Sequence, residues 1–368
     1  MNVAIIGSRG YPYVYSGYET FIKELSERLV KKNIKITIYC HKGLFIERPA
    51  KINNIRLVYI PTIETKSLSQ PIHSLLSFIH CSFKKPDLIL VVNVANGPFG
   101  IISKILGIPT IINVDGLEWL RPKWKGLGGL YFKYAAKLAT IFYDQIVNDS
   151  EEMRRVYKHT FNCESVVIAY GEKPSKPVSI KLLASWKIKP REYYLIVGRL
   201  IPDNNANILI SGFLKSETNK KLVVVGDVNY KDNYSEDLKN IKDKRLIFTG
   251  YVRNPSVLSE LYHNCYVYLH GHEFGGTNPT MLKALASGCS ILALDTPFNR
   301  EMLMDGKFGL FFNKGSTMIT EMINYCEKNK SLMTKLRSNS VKGIKNKYDW
   351  NYITDRYIKI FDNLIKNR

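Results

Sequence analysis

The sequence predicts an α/β protein built from two Rossmann-like domains. Three observations support this fold class. Short β-branched runs alternate with amphipathic helical stretches, this pattern is interrupted once and then resumes, and 368 residues exceed what one core usually supports. A hydrophobic content of 45% is enough to fill two cores.

The first series of strands defines an N-terminal domain, which we place at residues 1–175. A helix is predicted over about 18–32, between the first two strands. The predicted strands are Val3–Ile6, Ile34–Tyr39, Ile55–Tyr59, Leu88–Val92, Thr110–Val114 and Ile146–Asn148. Their order predicts a doubly wound parallel sheet.

A polar, proline-containing stretch follows Gly171, and a second series then defines a second domain at residues 176–345. Its predicted strands are Tyr194–Val197, Leu222–Val225, Leu246–Thr249, Val267–Leu269 and Ile291–Leu294. A last helical stretch runs from about Thr317 to the end, and the C-terminal helix that we place at 346–368 can pack back on the N-terminal domain. Ligands bind beyond the carboxyl ends of such strands, so we expect two sets of strand ends facing each other across a cleft.

Composition and charge narrow the classes of function. The chain has 53 Lys and Arg against 32 Asp and Glu, a net charge of +21. This excess indicates an anionic partner, either a phosphorylated ligand, an anionic membrane or nucleic acid. No run reaches about 18 apolar residues, and the start predicts a strand and a glycine turn instead of a signal peptide. We therefore expect a cytoplasmic protein.

The segment Ser67–Lys85 combines an apolar helical face with a basic end. Two interpretations of it stay open. One is a core helix of the first domain, and the other is a helix that lies against anionic lipid headgroups.

Two alternatives come from other functional classes. A nucleic-acid-binding protein would suit the charge, but no such module is evident and the lysines are spread along the chain. A dinucleotide enzyme such as a nucleotide-sugar epimerase would need a GxGxxG, which Gly7 and Gly10 do not complete. Both are disfavoured.

The most specific motif is a glycine loop, within residues 274–300, that opens a helix leading into a buried strand. Asn278 is a good N-cap, Pro279 suits the first helical position and Gly288 suits the stop. The helix should therefore begin near residue 279.

This helix start predicts an anion site. The first N–H groups, those of Thr280 and Met281, should be free and point toward Gly275 and Gly276, where an anion can approach the backbone. An ordinary connection from strand to helix is the alternative.

Other predicted strand ends also carry candidate site residues. Arg199 suits a diphosphate because its guanidinium donates two parallel hydrogen bonds. Asp115 can hold sugar hydroxyls or cap a turn. Tyr251 can lie beside a nucleobase or fill an interface, and Ser16 and Gly17 begin a second helix able to face a phosphate.

Together, VGRLIPDNN, FTGYV and GGTNPTMLKALASG resemble the donor-nucleotide domain of GT-B glycosyltransferases of family 4. GSRGYPYVYSGYETF and NVDGLEWLRPKW resemble the N-terminal domain of a bacterial subgroup that includes rhamnosyltransferases of capsule and O-antigen assembly. The resemblance covers nearly the whole chain. It implies that residues 1–175 form the acceptor-side domain and residues 176–345 the nucleotide-sugar donor-binding domain. It implies a GT-B fold and hexosyl transfer with retention at the anomeric carbon. It further implies no metal and no cofactor besides the substrate nucleotide sugar.

The resemblance also gives roles to individual positions. Arg199 matches the arginine that clamps the donor diphosphate, and Gly17 matches the loop glycine beside it. Asp115 stands where many members have a histidine that contacts the donor sugar. Asn204 stands where the wider family has a second clamping cation, a lysine.

Two glutamates of the wider family are replaced. Gly275 occupies the first position, with Glu273 two residues upstream, and Lys283 occupies the second. The predicted catalytic residues are Asp115, Arg199 and Glu273. The predicted donor-binding residues are Gly17, Arg199, Asn204, Tyr251, Gly275, Gly276, Thr277, Asn278, Thr280 and Lys283. The predicted acceptor-side residues are Glu19, Glu118 and Trp119, and no metal ligand is predicted.

Lys283 suggests the donor nucleotide. An ammonium in place of the family's carboxylate removes the acceptor for a ribose diol, which a deoxyribose lacks. We therefore hypothesise a dTDP sugar, with dTDP-rhamnose as the best guess, and with Lys283 supplying charge that is missing at Asn204. A lysine that only reaches solvent, a weakened enzyme and a UDP-hexose donor (galactose, glucose or N-acetylhexosamine) are the alternatives.

The predicted acceptor is a polyprenyl-diphosphate-linked glycan. A basic surface suits such a lipid at the inner face of the plasma membrane, where anionic headgroups attract lysines. We expect peripheral membrane contact and no nucleic-acid partner.

Overall fold

The computed structural model describes residues 1–12, 17–63, 65, 68–121, 124, 126–228 and 232–367. The chain divides into two compact units. Unit 1 consists of Met1–Gly171 and Lys347–Arg368, and unit 2 consists of Glu172–Asn346. Each unit has its own sheet.

The sheet of unit 1 is parallel except at one edge. Its strands are β1 Asn2–Ile6, β2 Lys35–His41, β3 Lys51–Ile52, β4 Ile55–Ile60, β5 Leu88–Val92, β6 Thr110–Val114, β7 Gln145–Asn148 and β8 Val166–Val167. They lie in the order β3-β4-β2-β1-β5-β6-β7-β8, and β3 pairs antiparallel with β4. The central strands β5 and β6 are buried along their whole length, as expected for parallel strands that helices cover on both faces.

Among the described residues, the α-helices that connect these strands are α1 Gly17–Lys31, α2 Ser69–Lys84, α3 Gly100–Ile105, α4 Leu127–Phe142 and α5 Glu151–Phe161. The path from β1 to β2 runs one way along the sheet, and the path β4, β5, β6, β7 runs the other way. Right-handed crossovers therefore put α1 on one face and α2, α3 and α4 on the opposite face. None of the helices in the described ranges has both the length and the apolar character needed to cross a bilayer.

Unit 2 has a parallel sheet in the order β11-β10-β9-β12-β13-β14. Its strands are β9 Tyr193–Val197, β10 Lys221–Val225, β11 Leu246–Gly250, β12 Val267–His270, β13 Ile291–Leu294 and β14 Leu310–Phe312. Its helices are α6 Ala206–Lys215, α7 Asn233–Asn240, α8 Pro255–Asn264, α9 Pro279–Ala286, α10 Pro297–Met302, α11 Ser316–Lys328 and α12 Lys330–Ser340. The strand order reverses at β9, which makes the edge between β9 and β12 the topological switch point.

The last helix, α13 Trp350–Lys366, packs on α1 in unit 1. The ring of Phe21 lies 6.4 Å from that of Trp350 and 5.6 Å from that of Tyr357. Asn113 Nδ2 on β6 donates to the Tyr357 hydroxyl at 2.9 Å. A Cβ on Gly171 would come within 2.7 Å of the Trp350 ring, so the end of the first segment fits closely against this helix.

The predicted helical stretch from Thr317 onward is divided into three helices within residues 317–367. Asn329 leaves the helical conformation, with φ −114° and ψ 54°, and separates α11 from α12. Asp349 then opens α13 as an N-cap, accepting the N–H groups of Asn351 and Tyr352 at 2.9 and 3.0 Å.

Candidate functional site

The loops after β9, β10 and β12 pack closely at the switch point of unit 2. A Cβ on Gly271 would lie 2.4 Å from the Asn204 carbonyl oxygen. A Cβ on Gly226, whose φ is +129°, would lie 1.9 Å from the Gly198 carbonyl oxygen. Glycine is required at both positions, since any side chain would collide with backbone. A small cavity lies here, with Arg199 and His272 among its lining residues.

Arg199 lies at this cavity with an exposed side chain. Asn204 is buried, and its Nδ2 donates to the Arg199 carbonyl oxygen at 2.7 Å. The Asn204 side chain therefore fixes the backbone of Arg199. No salt bridge to the Arg199 guanidinium is found within the described ranges.

Glu273 is tied to the loop after β9. Its Oε2 accepts from Asn205 Nδ2 at 3.2 Å, and its backbone N–H donates to the Asp203 carbonyl oxygen at 3.1 Å. The same Oε2 forms an ion pair with Lys314 Nζ at 2.6 Å. Lys314 was not among the predicted site residues, and it supplies a positive charge in this neighbourhood.

The glycine loop and the start of α9 have the predicted local structure. Gly275 has φ +116° and Gly288 has φ +68°, both in the region that favours glycine. Thr277 is buried, with 5% of its surface exposed. The helix begins at Pro279 with Asn278 as its N-cap, which confirms the predicted helix start.

One prediction about this helix start is wrong. The Thr280 N–H is not free, because it donates to Asn278 Oδ1 at 3.0 Å. The cap therefore occupies a donor that we had assigned to an anion.

A chain of side-chain hydrogen bonds runs from this cap to the end of β12. Thr280 Oγ1 donates to Asn278 Oδ1 at 2.8 Å, and the Tyr268 hydroxyl donates to Thr280 Oγ1 at 3.0 Å. His270 Nδ1 lies 3.1 Å from that hydroxyl. Because the Tyr268 proton is already donated to Thr280, the consistent arrangement has His270 donating from Nδ1.

The two histidines His270 and His272, at the end of β12 and just beyond it, were missed by the sequence analysis. His270 is fully buried, and burial, followed by the neighbouring His272, lowers the pKa of His270 well below its usual range. The rings of His270 and His272 stack with centroids 4.5 Å apart. Two histidines at i and i+2 directly after a predicted strand were the signal available for finding them.

Lys283 and Tyr251 do not line this cavity. Lys283 is exposed, although the residues on both sides of it in α9 are buried. Tyr251 follows the left-handed Gly250 and is 69% exposed. Their predicted donor contacts remain predictions.

In unit 1, Asp115 follows β6 and accepts hydrogen bonds from two tyrosines. The Tyr18 hydroxyl, at the start of α1, donates to Oδ1. The Tyr170 hydroxyl lies 2.8 Å from Oδ2 and 3.2 Å from Asn113 Oδ1. Burial raises the pKa of Asp115 even though both tyrosines stabilise its charged form.

The tyrosines around Asp115 remain protonated at neutral pH. Burial, together with the Asp115 charge, raises the pKa of Tyr18 and of Tyr170 well above the usual range. The charge of Asp149, a 1% exposed residue after β7, acts in the same direction. Asp149 was not predicted as a site residue.

The predicted acceptor-side residue Glu19 is buried and has a structural contact. Its Oε1 accepts the Arg9 N–H at 3.1 Å, which ties the loop after β1 to α1. Gly17 is the first residue of α1. Ser16 lies outside the described residues.

Glu118 and Trp119 contact different neighbours. Glu118 Oε1 pairs with Arg121 Nε at 3.1 Å, and Glu118 Oε2 accepts from Trp124 Nε1 at 2.6 Å. The Trp119 ring packs edge-on against two aromatic rings of α5, at 6.1 and 5.8 Å. Their acceptor-side roles remain predictions.

Within the described part of the chain, no group of three or more His, Cys, Asp and Glu side chains is placed to hold a metal ion. Metal-independent chemistry stays a prediction.

Two family matches cover most of the chain. Residues 1–173 match a domain of unknown function (DUF1972). Residues 181–343 match the family described as glycosyl transferases group 1.

A curated relative of Campylobacter jejuni matches in part. It is named N-acetylgalactosamine-N,N'-diacetylbacillosaminyl-diphospho-undecaprenol 4-alpha-N-acetylgalactosaminyltransferase, and it is 26% identical over 145 residues. The match covers 39% of this chain and 39% of the relative, about two fifths of each.

Solved structures match over the whole length. Sucrose-phosphate synthase of Thermosynechococcus elongatus has a TM-score of 0.80 at 14% identity. The match covers 100% of this chain and 100% of that chain. Anabaena HepE in complex with UDP and glucose has a TM-score of 0.78 at 16% identity, with 99% of this chain and 100% of that chain covered. These likenesses concern the fold, and they confirm the predicted fold class.

Proposed function

We propose that the protein is a glycosyltransferase with a nucleotide-sugar donor, because the chain has a GT-B fold and residues 181–343 match the glycosyl transferases group 1 family. One observation carries the proposal. At the switch point of unit 2, an exposed arginine lies on loops packed so closely that only glycine fits between them. This is where ligands of open α/β sheets bind.

The proposed chemistry rests on charge at the leaving group. Breaking the bond from sugar to phosphate leaves negative charge on a diphosphate oxygen. The Arg199 guanidinium and the N-terminal end of α9 supply positive potential for that charge. Asn204 fixes the backbone of Arg199, and the Asn278 cap fixes the start of α9. We propose transfer with retention at the anomeric carbon and without a metal ion.

We propose dTDP-rhamnose as the donor. Lys283, on the exposed side of α9, stands where related enzymes carry a carboxylate for a ribose diol, and a deoxyribose needs no such acceptor. For the acceptor we propose a lipid-linked oligosaccharide of surface polysaccharide assembly, O-antigen or capsule, at the inner face of the plasma membrane. The Campylobacter relative, whose name includes a diphospho-undecaprenol acceptor, supports this part.

A UDP-hexose is the second candidate donor. Two observations favour it: HepE was crystallised with UDP and glucose, and the Campylobacter relative is named for N-acetylgalactosamine transfer. The acceptor proposal is the same for both donors.

Thermal unfolding with dTDP, UDP or GDP, with EDTA or with Mg²⁺, tests the proposal. A ligand at a hundred times its Kd stabilises the folded state by about 2.7 kcal/mol. We expect dTDP to raise the Tm most, with or without Mg²⁺, and Arg199→Ala to remove the effect. Stabilisation by UDP alone would favour the second candidate, and stabilisation by none of the three would contradict both.

The variant Lys283→Glu tests the nucleotide assignment. It restores the carboxylate of the wider family, so we expect the preference to move from dTDP toward UDP. Lys335→Glu, an exposed lysine of α12, is the matched control and should leave the preference unchanged. An unchanged preference in Lys283→Glu would remove this residue from the donor site.

A further inference from the structure

The helices α2, α3 and α4 expose apolar side chains on one side of unit 1. α3 contacts both α2 and α4, and all three follow crossovers in the same direction along the sheet. We define the α2–α4 face by six of its exposed residues: Leu75, Phe83, Ile105, Leu127, Leu130 and Tyr134. Phe83, Ile105 and Leu127 are 81%, 77% and 85% exposed.

The spacing shows that these exposed side chains form stripes. On α2, Leu75, Ile79 and Phe83 recur every fourth residue, and Phe78 and Cys81 on the other side of the helix are buried. On α4 the exposed positions 127, 130 and 134 are three and four residues apart, so they also share one side of their helix. A helix on a soluble surface normally presents charged and polar residues outward. These helices instead carry a second apolar stripe, the kind of patch that marks an interaction surface.

The charges on this face have one sign. The sequences of α2, α3 and α4 contain Lys84, Lys104, Lys133 and Lys137 and no Asp or Glu. All four lysines are exposed. A second copy of the chain is a poor occupant, because pairing two such faces would bring lysines against lysines. Apolar side chains among lysines match an anionic bilayer surface.

We propose that the α2–α4 face docks on an anionic lipid bilayer, with Phe83, Ile105 and Leu127 at the boundary between headgroups and acyl chains. The four lysines lie among the headgroups. Such docking would hold the enzyme beside a lipid-linked acceptor. This role of the docking rests on the proposed function. The surface itself is defined by exposure and charge.

Flotation of the full chain with lipid vesicles tests the proposal. The vesicles are phosphatidylcholine alone or with about a third phosphatidylglycerol, at about 0.1 M and about 1 M salt. The test variant combines Phe83→Glu, Ile105→Glu and Leu127→Glu. The matched control combines Ile46→Glu, Val178→Glu and Met304→Glu, which are exposed apolar positions outside the face. Both carry the same change of charge, and their Tm values show whether they fold.

We expect the wild type and the control to float with anionic vesicles at the lower salt. The test variant should bind at least about tenfold more weakly, and the higher salt should weaken wild-type binding. Equal binding by the test variant and the control overturns the proposal, and so does a wild type that stays with the soluble fraction.

Sedimentation velocity without lipid tests whether a second copy of the chain occupies the α2–α4 face. A wild type that is dimeric, with a monomeric test variant and no vesicle binding, would assign the face to a second copy and overturn the proposal. Measuring the Tm of the test variant with dTDP or UDP separates a failure of membrane docking from a failure of nucleotide binding. Lost flotation with intact nucleotide binding supports the docking surface, and absent nucleotide binding with normal flotation counts only against the proposed function.

Discussion

Asp115 is held by two tyrosine hydroxyls at the carboxyl end of β6, in unit 1, whereas the proposed diphosphate contacts lie in unit 2. We therefore expect Asp115→Ala to reduce turnover by about a hundredfold or more, the range seen when a group that stabilises charge or transfers a proton is lost. Stabilisation by the preferred nucleotide should be nearly unchanged. Asp355→Ala, an exposed carboxylate of the same unit, is the control. Turnover unchanged by Asp115→Ala would exclude a catalytic role.

The raised pKa of Asp115 gives a pH-dependent stability. Burial disfavours the charged form, so the folded protein holds this proton more tightly than the unfolded chain does. The associated stability is present below about pH 4 and is lost as the pH rises through the folded-state pKa. Asp115→Asn stays neutral. The Tm of Asp115→Asn minus that of the wild type should therefore increase from about pH 4 to about pH 8. Any stability that the variant loses because an amide replaces the carboxyl does not depend on pH, so it does not change this trend.

A Tm difference that stays flat over this range would mean that the carboxyl is not significantly desolvated. A difference that falls with pH would mean that the hydrogen bonds from Tyr18 and Tyr170 outweigh burial.

At the scale of elements, the cap of α9 links helix stability to the candidate donor site. Asn278→Ala removes the acceptor for the Thr280 N–H and interrupts the series of side-chain hydrogen bonds that leads through Thr280 to Tyr268. We therefore expect the free energy of unfolding to fall by about 1 kcal/mol. Nucleotide stabilisation should also weaken. Asp349→Ala removes the corresponding cap of α13 and should cost similar stability without changing nucleotide binding. If both variants keep full nucleotide binding, the cap is only structural.

The sequence predicted the elements whose pattern is long enough to recognise. Short runs rich in β-branched residues, such as Leu88–Val92 and Thr110–Val114, coincide with β5 and β6. β3, β8 and β14 were missed, since strands of two or three residues at or near a sheet edge carry too few positions for a period.

The candidate site was predictable only where its residues are close in sequence. The loop, the cap and the start of α9 follow from local turn and capping preferences. The partners of Asp115 do not, because Tyr18 is 97 residues away along the chain. Lys314 beside Glu273, 41 residues away, depends in the same way on the folded sheet.

At the scale of the whole molecule, α13 completes the core of unit 1. Trp350 is 4% exposed, and the guanidinium of Arg28 lies 5.3 Å from the centre of its ring. We expect Trp350→Ala to cost about 3–5 kcal/mol, the usual loss for a buried aromatic side chain. Hydrogen exchange should show lost protection in segments of unit 1 and unchanged protection in unit 2.

Tyr352→Ala is the control on the same helix, where the side chain is 45% exposed, and it should leave protection unchanged. Equal loss of protection in both units after Trp350→Ala would mean that the units unfold together.

The position of α13 also sets an order of events on the ribosome. Unit 2 is continuous in sequence, so it can fold as soon as residues 172–346 have emerged. Unit 1 begins first but lacks its last helix until residues 347–368 follow. At about 5–20 residues per second, the first 171 residues wait roughly ten to forty seconds with the α1 surface uncovered. The half of the protein that is translated first is thus the half that is finished last.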